Sequence, residues 1–136
     1  MAPFILQCIH KFNPDKHKLY FSMQEIHDEA LSFGRNLIDQ TIHQSEEFAE
    51  LIKTKLVNWD LDRIAYIDII LMKMALTEFL HFPFIPVKVT MNEYIDLAKD
   101  YSTPKSKEFI NGILDELTKT LREQGSIQKR GRGLVE

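Results

Sequence analysis

Cysteine is nearly absent from this sequence: Cys8 is the one example among 136 residues. No intramolecular disulfide can form, and a cysteine zinc site is excluded. A lone thiol agrees with a reducing cytoplasmic setting, and nothing beside Cys8 would lower its pKa, so it does not read as a nucleophile. Long apolar runs are missing too. The greasiest stretch, residues 67–75, is interrupted by Asp68 and Lys73, well short of the ~20 apolar residues that cross a bilayer. The opening Met-Ala-Pro-Phe-Ile-Leu has no basic leader and no cleavage site, so no signal peptide is expected. Glycine and proline number 5 each, too few for a linker or a low-complexity chain. Neither a glycine-rich phosphate loop nor a Gly-x-Ser-x-Gly elbow occurs, which removes the usual nucleotide-binding and serine-hydrolase readings and leaves no visible catalytic constellation.

A large excess of positive charge is also lacking. Seventeen basic and 20 acidic residues give a net charge of −3, so charge alone announces no nucleic-acid binder. Its distribution is more informative. Residues 1–83 carry eight Lys/Arg against twelve Asp/Glu, whereas residues 84–136 carry nine against eight. A polyanion site is therefore expected in the C-terminal part.

What the sequence does contain is helical periodicity. Residues 1–22 show no sustained period and read as an irregular segment, or the remnant of a larger N-terminal part. From Met23, Ile26, Ala30, Phe33, Leu37 and Ile38 recur at three- and four-residue steps. Ser45 is positioned to cap a second helix bearing Phe48, Leu51, Ile52 and Leu56. Asp60 would cap a third, running to about Leu80 and apolar on nearly every side, as expected of a central helix. Pro83 and Pro86 then exclude helix. Thr90-Met91-Asn92-Glu93 fits a capping box for a fourth helix that buries Ile95 and Ala98 and ends near Tyr101. Thr103-Pro104 opens a fifth, with Ile110, Ile113, Leu114, Leu117 and Leu121 as its stripe. Gly125 is its expected stop. The predicted fold is all-α, a compact orthogonal helical bundle over residues 23–125, followed by a basic mobile tail at 126–136.

Two carboxylate features have plain explanations. Glu78-Phe79-Leu80-His81 has the spacing of di-iron bundle ligands, but such sites need a second pair and two more glutamates, so His81 reads as a helix-end histidine and no metal or other cofactor is expected. Asp60 and Asp62 fall where a helix start favours acids.

Residues 86–115 form the most specific constellation. Pro86, Lys88-Val89, Asn92-Glu93, Leu97-Ala98-Lys99 and Ser106-x-x-Phe109-Ile110-Asn111-Gly112-x-Leu114-Asp115, preceded by Ala75-Leu76-x-Glu78-Phe79, resemble the signature of the NusB transcription antitermination family. The resemblance covers about residues 24–125 and implies a NusB-like helical fold without enzymatic activity. It implies binding of boxA-type single-stranded RNA together with ribosomal protein NusE, indirect engagement of an elongating RNA polymerase, and support of ribosomal RNA transcription. It also admits a homodimer. The residues agree with it. Lys105 and Lys107, joined by Lys99, would hold the backbone, Phe109 would stack a base, and Asn111 or Ser106 would hydrogen-bond. Phe109 also fits a core edge, and the lysines fit a solvated face. Gly112 is read as letting a neighbouring helix approach, with Asn92 and Glu93 structural. Asp68 corresponds to an acidic family position facing the protein partner and should be exposed or paired; Asp62 is a second choice. One departure is clear: residues 1–22 hold Lys11, Lys16 and Lys18 but no arginine, where the family begins with an arginine-rich helix. Two other readings compete. One is an accessory domain of a ribosomal RNA cytosine methyltransferase, disfavoured by the missing cofactor-binding unit. The other is a protein-interaction scaffold without RNA binding.

Overall fold

A computed structural model describes residues 28–57 and 60–131. The chain divides into two compact units, residues 1–36 and 37–136. Of the first, the described part is the opening of helix α1 (Asp28–His43), where Asp28 and Glu29 occupy the first turn, the position at which acids suit the helix dipole. The second unit holds the rest of α1, then α2 (Ser45–Lys53), a 3-10 turn (Leu61–Arg63), α3 (Tyr66–His81), α4 (Val87–Tyr101) and α5 (Ser106–Glu123). No strand occurs among the described residues, so the all-helical expectation holds. No described helix is long and apolar enough to cross a membrane. The irregular reading of residues 1–22, the lysines within it and Cys8 lie outside the described residues.

α3 is central, as its all-round apolarity predicts. Leu71, Met72, Ala75, Leu76 and Phe79 are buried on several of its sides, and α2, α4 and α5 all pack against it. Phe48 and Ile52 of α2 and Ile110, Leu114, Leu117 and Leu121 of α5 complete the core. Each fully buried Leu, Ile, Phe or Met side chain contributes about 1.5–3 kcal/mol of transfer free energy.

Several helix starts differ from the expectation. α2 has Gln44 as its N-cap and Ser45 as its first helical residue; the Ser45 hydroxyl instead accepts from Lys73 Nζ at 2.7 Å. Asp60 caps no long helix but precedes the short 3-10 turn, without a side-chain cap. α4 starts a full turn early, with Pro86 as N-cap. Thr90 is therefore inside the helix, fully buried, and its hydroxyl donates to Glu78 Oε1 at 3.2 Å. The capping box does not form, because a buried carboxylate twelve residues upstream takes the threonine. The earlier start puts Val87, Thr90, Tyr94 and Ala98 on the inner face, so Tyr94 is buried and Ile95 only half-buried. Asn92 is exposed and Glu93 half-buried. α5 begins at Ser106, after Pro104 rather than at it.

The end of α5 is as expected. Gly125 adopts φ 71, Gly125 N–H donates to Arg122 O and Ser126 N–H to Leu121 O, both at 2.9 Å. This is the Schellman pattern, whose left-handed residue favours glycine. Residues 126–131, part of the expected mobile tail, run back to the C-terminal end of α3. Lys129 Nζ donates to the carbonyls of Glu78 and Phe82, each at 2.9 Å, and Arg130 N–H donates to Pro83 O at 2.9 Å. A lysine here meets both orphan carbonyls and the negative end of the helix dipole.

Candidate nucleic-acid interface

The start of α5 is held by a carboxylate from another helix. Asp68, in the first turn of α3, is only 3% exposed. Ser106 donates to its Oδ2 at 2.6 Å and Ser102 to its Oδ1. The Ser102 and Ser106 hydroxyls lie 2.9 Å apart, and those of Thr103 and Ser106 2.7 Å apart. A buried carboxylate needs such partners, and the α3 N-terminus adds favourable dipole. Two site expectations change here. Asp68 is not an exposed acid facing a partner; it fastens α3 to the α4–α5 corner. Ser106 is buried and occupied, so its hydroxyl does not face a ligand.

The corner so fixed carries Lys105 and Phe109, one helical turn apart. Phe109 is half-buried against the core: one part of the ring packs, as the core-edge reading expects, and the rest lines surface. It borders a cavity of about 460 Å³ with Arg63, Ile64, Ala65 and Lys105, floored by Asp68 and Ser106. It also borders a cavity of about 300 Å³ with Lys55, Leu56, Val57, Glu108 and Ile113. Arg63 is exposed, paired with exposed Asp60 at 3.8 Å, a contact of little strength in water. Lys55 Nζ donates to Thr120 Oγ1 at 2.7 Å.

The remaining predicted residues do not all gather here. Lys107 and Asn111 are exposed, but each is two residues from Lys105 or Phe109, and such residues point to different sides of a helix. Lys99 lies on α4 and pairs with Asp96 at 3.4 Å. Gly112 is exposed, and a Cβ added there would meet nothing within 4 Å; the expected close helix approach does not occur. Asp62 is exposed and borders a third cavity, of about 330 Å³, with Lys53, Asp60 and Leu61. Nothing in the sequence pattern singles out Arg63 or Lys55. A break before Asp60 is legible in the sequence, but which side chains it brings beside Phe109 is not.

The Glu78/His81 pair is used structurally. His81 meets the Gln44 side-chain oxygen. Burial pushes the Glu78 carboxyl above its ordinary pKa, opposed by the Tyr94 and Thr90 hydroxyls and by Lys129. Tyr94 is pushed upward as well, by its own burial and then by Glu78.

Among the described residues, fold and surface together define an all-helical domain with a half-buried aromatic that lines two grooves, each bearing at least one cation. Residues 6–119 match the family described as NusB, and the chain belongs to that family. The match enters the stretch that lacks helical period in the sequence. The chain is 44% identical over 103 residues to the transcription antitermination protein NusB of Salinibacter ruber, covering 76% of this chain and 64% of that protein. It is 40% identical over 107 residues to that of Chloroherpeton thalassium, covering 79% and 51%. It thus spans about half to two-thirds of the length of these curated relatives. The structure resembles that of T. maritima NusB with a TM-score of 0.68 at 28% identity, covering 87% of this chain and 83% of the other. It also shares the fold of NusB in a complex of antitermination factors NusB and NusE with dsRNA, at a TM-score of 0.65 and 20% identity, covering 88% of each chain.

Proposed function

We propose that this chain is a transcription antitermination factor that binds boxA-type single-stranded RNA together with ribosomal protein NusE, in support of ribosomal RNA transcription. The observation that carries the reading is the Phe109 ring, lining two grooves, with Lys105 and Arg63 beside it. Aromatic faces hold unstacked bases, and flanking cations hold the phosphates between them. The names of the relatives support the antitermination reading, and the NusB–NusE–dsRNA assembly of a structural neighbour supports RNA and NusE as partners. Lys105 and Arg63 are the backbone-holding pair in this reading, with Lys99, Lys107 and Asn111 reserved for a longer RNA path. With Asp68 buried, exposed Asp62 becomes the acidic candidate for a basic ribosomal-protein partner. Polymerase is engaged indirectly through that partner.

A gel shift with boxA RNA, with and without NusE, tests this directly. Binding is expected to weaken with salt, since released counterions accompany each neutralised phosphate. Phe109→Ala should weaken it by about 1–3 kcal/mol, the range for one stacked base, while the helical content is kept. An intact chain that shifts no boxA RNA even with NusE present would defeat the proposal.

A further inference from the structure

The end of α3 remote from Phe109 carries a second aromatic among cations. Phe84 is 75% exposed, yet its loop is firmly tied. Pro83 and Pro86 flank it, Ile85 N–H donates to Phe82 O at 3.1 Å, and Arg130 N–H donates to Pro83 O at 2.9 Å. Lys129 clasps the carbonyls of Glu78 and Phe82. A Cβ at Gly131, whose φ is 122, would lie 3.7 Å from Phe84 Cδ1, so the returning chain passes along the ring. The ring is thus held in water by a braced loop.

Cations predominate in the two chain segments that meet at it. Residues 82–92 and 124–131 contain no acidic residue, whereas Lys88 and Arg130 are exposed and Lys129 is bound to the carbonyls at the helix end. On α3 the Glu78 carboxyl is buried, and half-buried Glu93 and Lys129 both lie close enough for their charges to act on it. In a chain of net charge −3, this is a local positive patch built around a stacking face.

We propose that Phe84 and Arg130 form a second nucleotide-binding point for single-stranded RNA, at the end of α3 opposite the Phe109 grooves. The inference rests on the RNA reading above and extends it. Phe84 takes a base, and Arg130 and Lys88 take adjacent phosphates, as in other single-strand sites. A basic protein partner would be repelled by the same cations. From Asp68 to Phe82 the helix rises about 20 Å, so a short RNA seated at Phe109 does not reach Phe84 and a longer one does.

The test compares a minimal boxA oligonucleotide with one extended at both ends by uridines, using the full chain and fluorescence anisotropy. Phe84→Ala should weaken the extended RNA by about 5- to 150-fold, the span for one lost stack, and leave the minimal RNA unchanged. Arg130→Gln should lower the salt slope for the extended RNA by about one. Both side chains are exposed, so melting temperatures should match the parent. Equal binding of parent and Phe84→Ala to the extended RNA, with Phe109→Ala still defective, overturns this site and leaves the Phe109 reading standing. Failure of the parent to bind either RNA, with NusE present as well as without it, removes both. A Phe84→Ala defect in NusE binding without RNA would assign the patch to protein and also overturn the inference.

Discussion

Replacing Asp68 by alanine should unfasten the corner that presents Lys105 and Phe109. The carboxylate accepts hydroxyls from Ser102 and Ser106 in a site only 3% exposed. A hydrogen bond to a charged group contributes about 1.5–3 kcal/mol, so two contribute roughly 3–6 kcal/mol. Two effects oppose the loss. The cost of burying the charge disappears, and the orphaned hydroxyls keep one another and Thr103 as partners. A net destabilisation of about 2–4 kcal/mol remains. For a domain of this size one kcal/mol moves the melting temperature by roughly 3–4 °C, so a drop of roughly 6–16 °C is expected. Asp68→Asn retains the shape and one acceptor, and should lose less than half as much. Far-UV circular dichroism melts measure both, and a double-mutant cycle with Ser106→Ala isolates the pair, with coupling of about 0.5–3 kcal/mol expected. An Asp68→Ala protein that melts with the parent, or a cycle with no coupling, would refute the role of the carboxylate as a fastener. At temperatures well below melting, RNA binding should fall in the same order as stability.

Two further outcomes follow from the buried and open positions. Burial holds the Glu78 carboxyl above its ordinary value of 4.5, so the folded state keeps this proton more tightly than the unfolded one. Its stabilising contribution is present below 4.5 and is lost as pH rises through the elevated folded value. Glu78→Gln should therefore gain melting temperature relative to the parent as pH increases, and parallel pH curves for the two proteins would count against the burial argument. Gly112 is exposed, with open space where a methyl would stand, so alanine there should stabilise α5 by about 1 kcal/mol through helix propensity; a lower melting temperature would reveal a helix approach that the structure does not contain.

The central helix, the apolar stripes of α2 and α5 and the glycine stop at 125 are all legible from periodicity and local chemistry, because the residues that satisfy them are close in the chain. So is the family, carried by many side chains at set spacings in α4 and α5. The beginning of α4 is not. Thr90 and Glu93 make a sound local box, but Thr90 has a stronger use against Glu78. The site is legible in part. Lys105 and Phe109 do share a groove, whereas Lys107, just as near in sequence, turns to another side of the helix. Ser106, a ligand contact on the sequence pattern, is a structural donor.

The order of residues alone thus determined that this protein is helical, which helix is innermost, and that Lys105 and Phe109 stand one turn apart at the start of the last helix. Only the tertiary structure decided that Asp68 faces inward, since its serine partners lie 34 and 38 residues away, and that Arg63 and Lys55 flank Phe109. Helical period reports which face a side chain occupies; what that face meets depends on chain segments that approach only when the core closes.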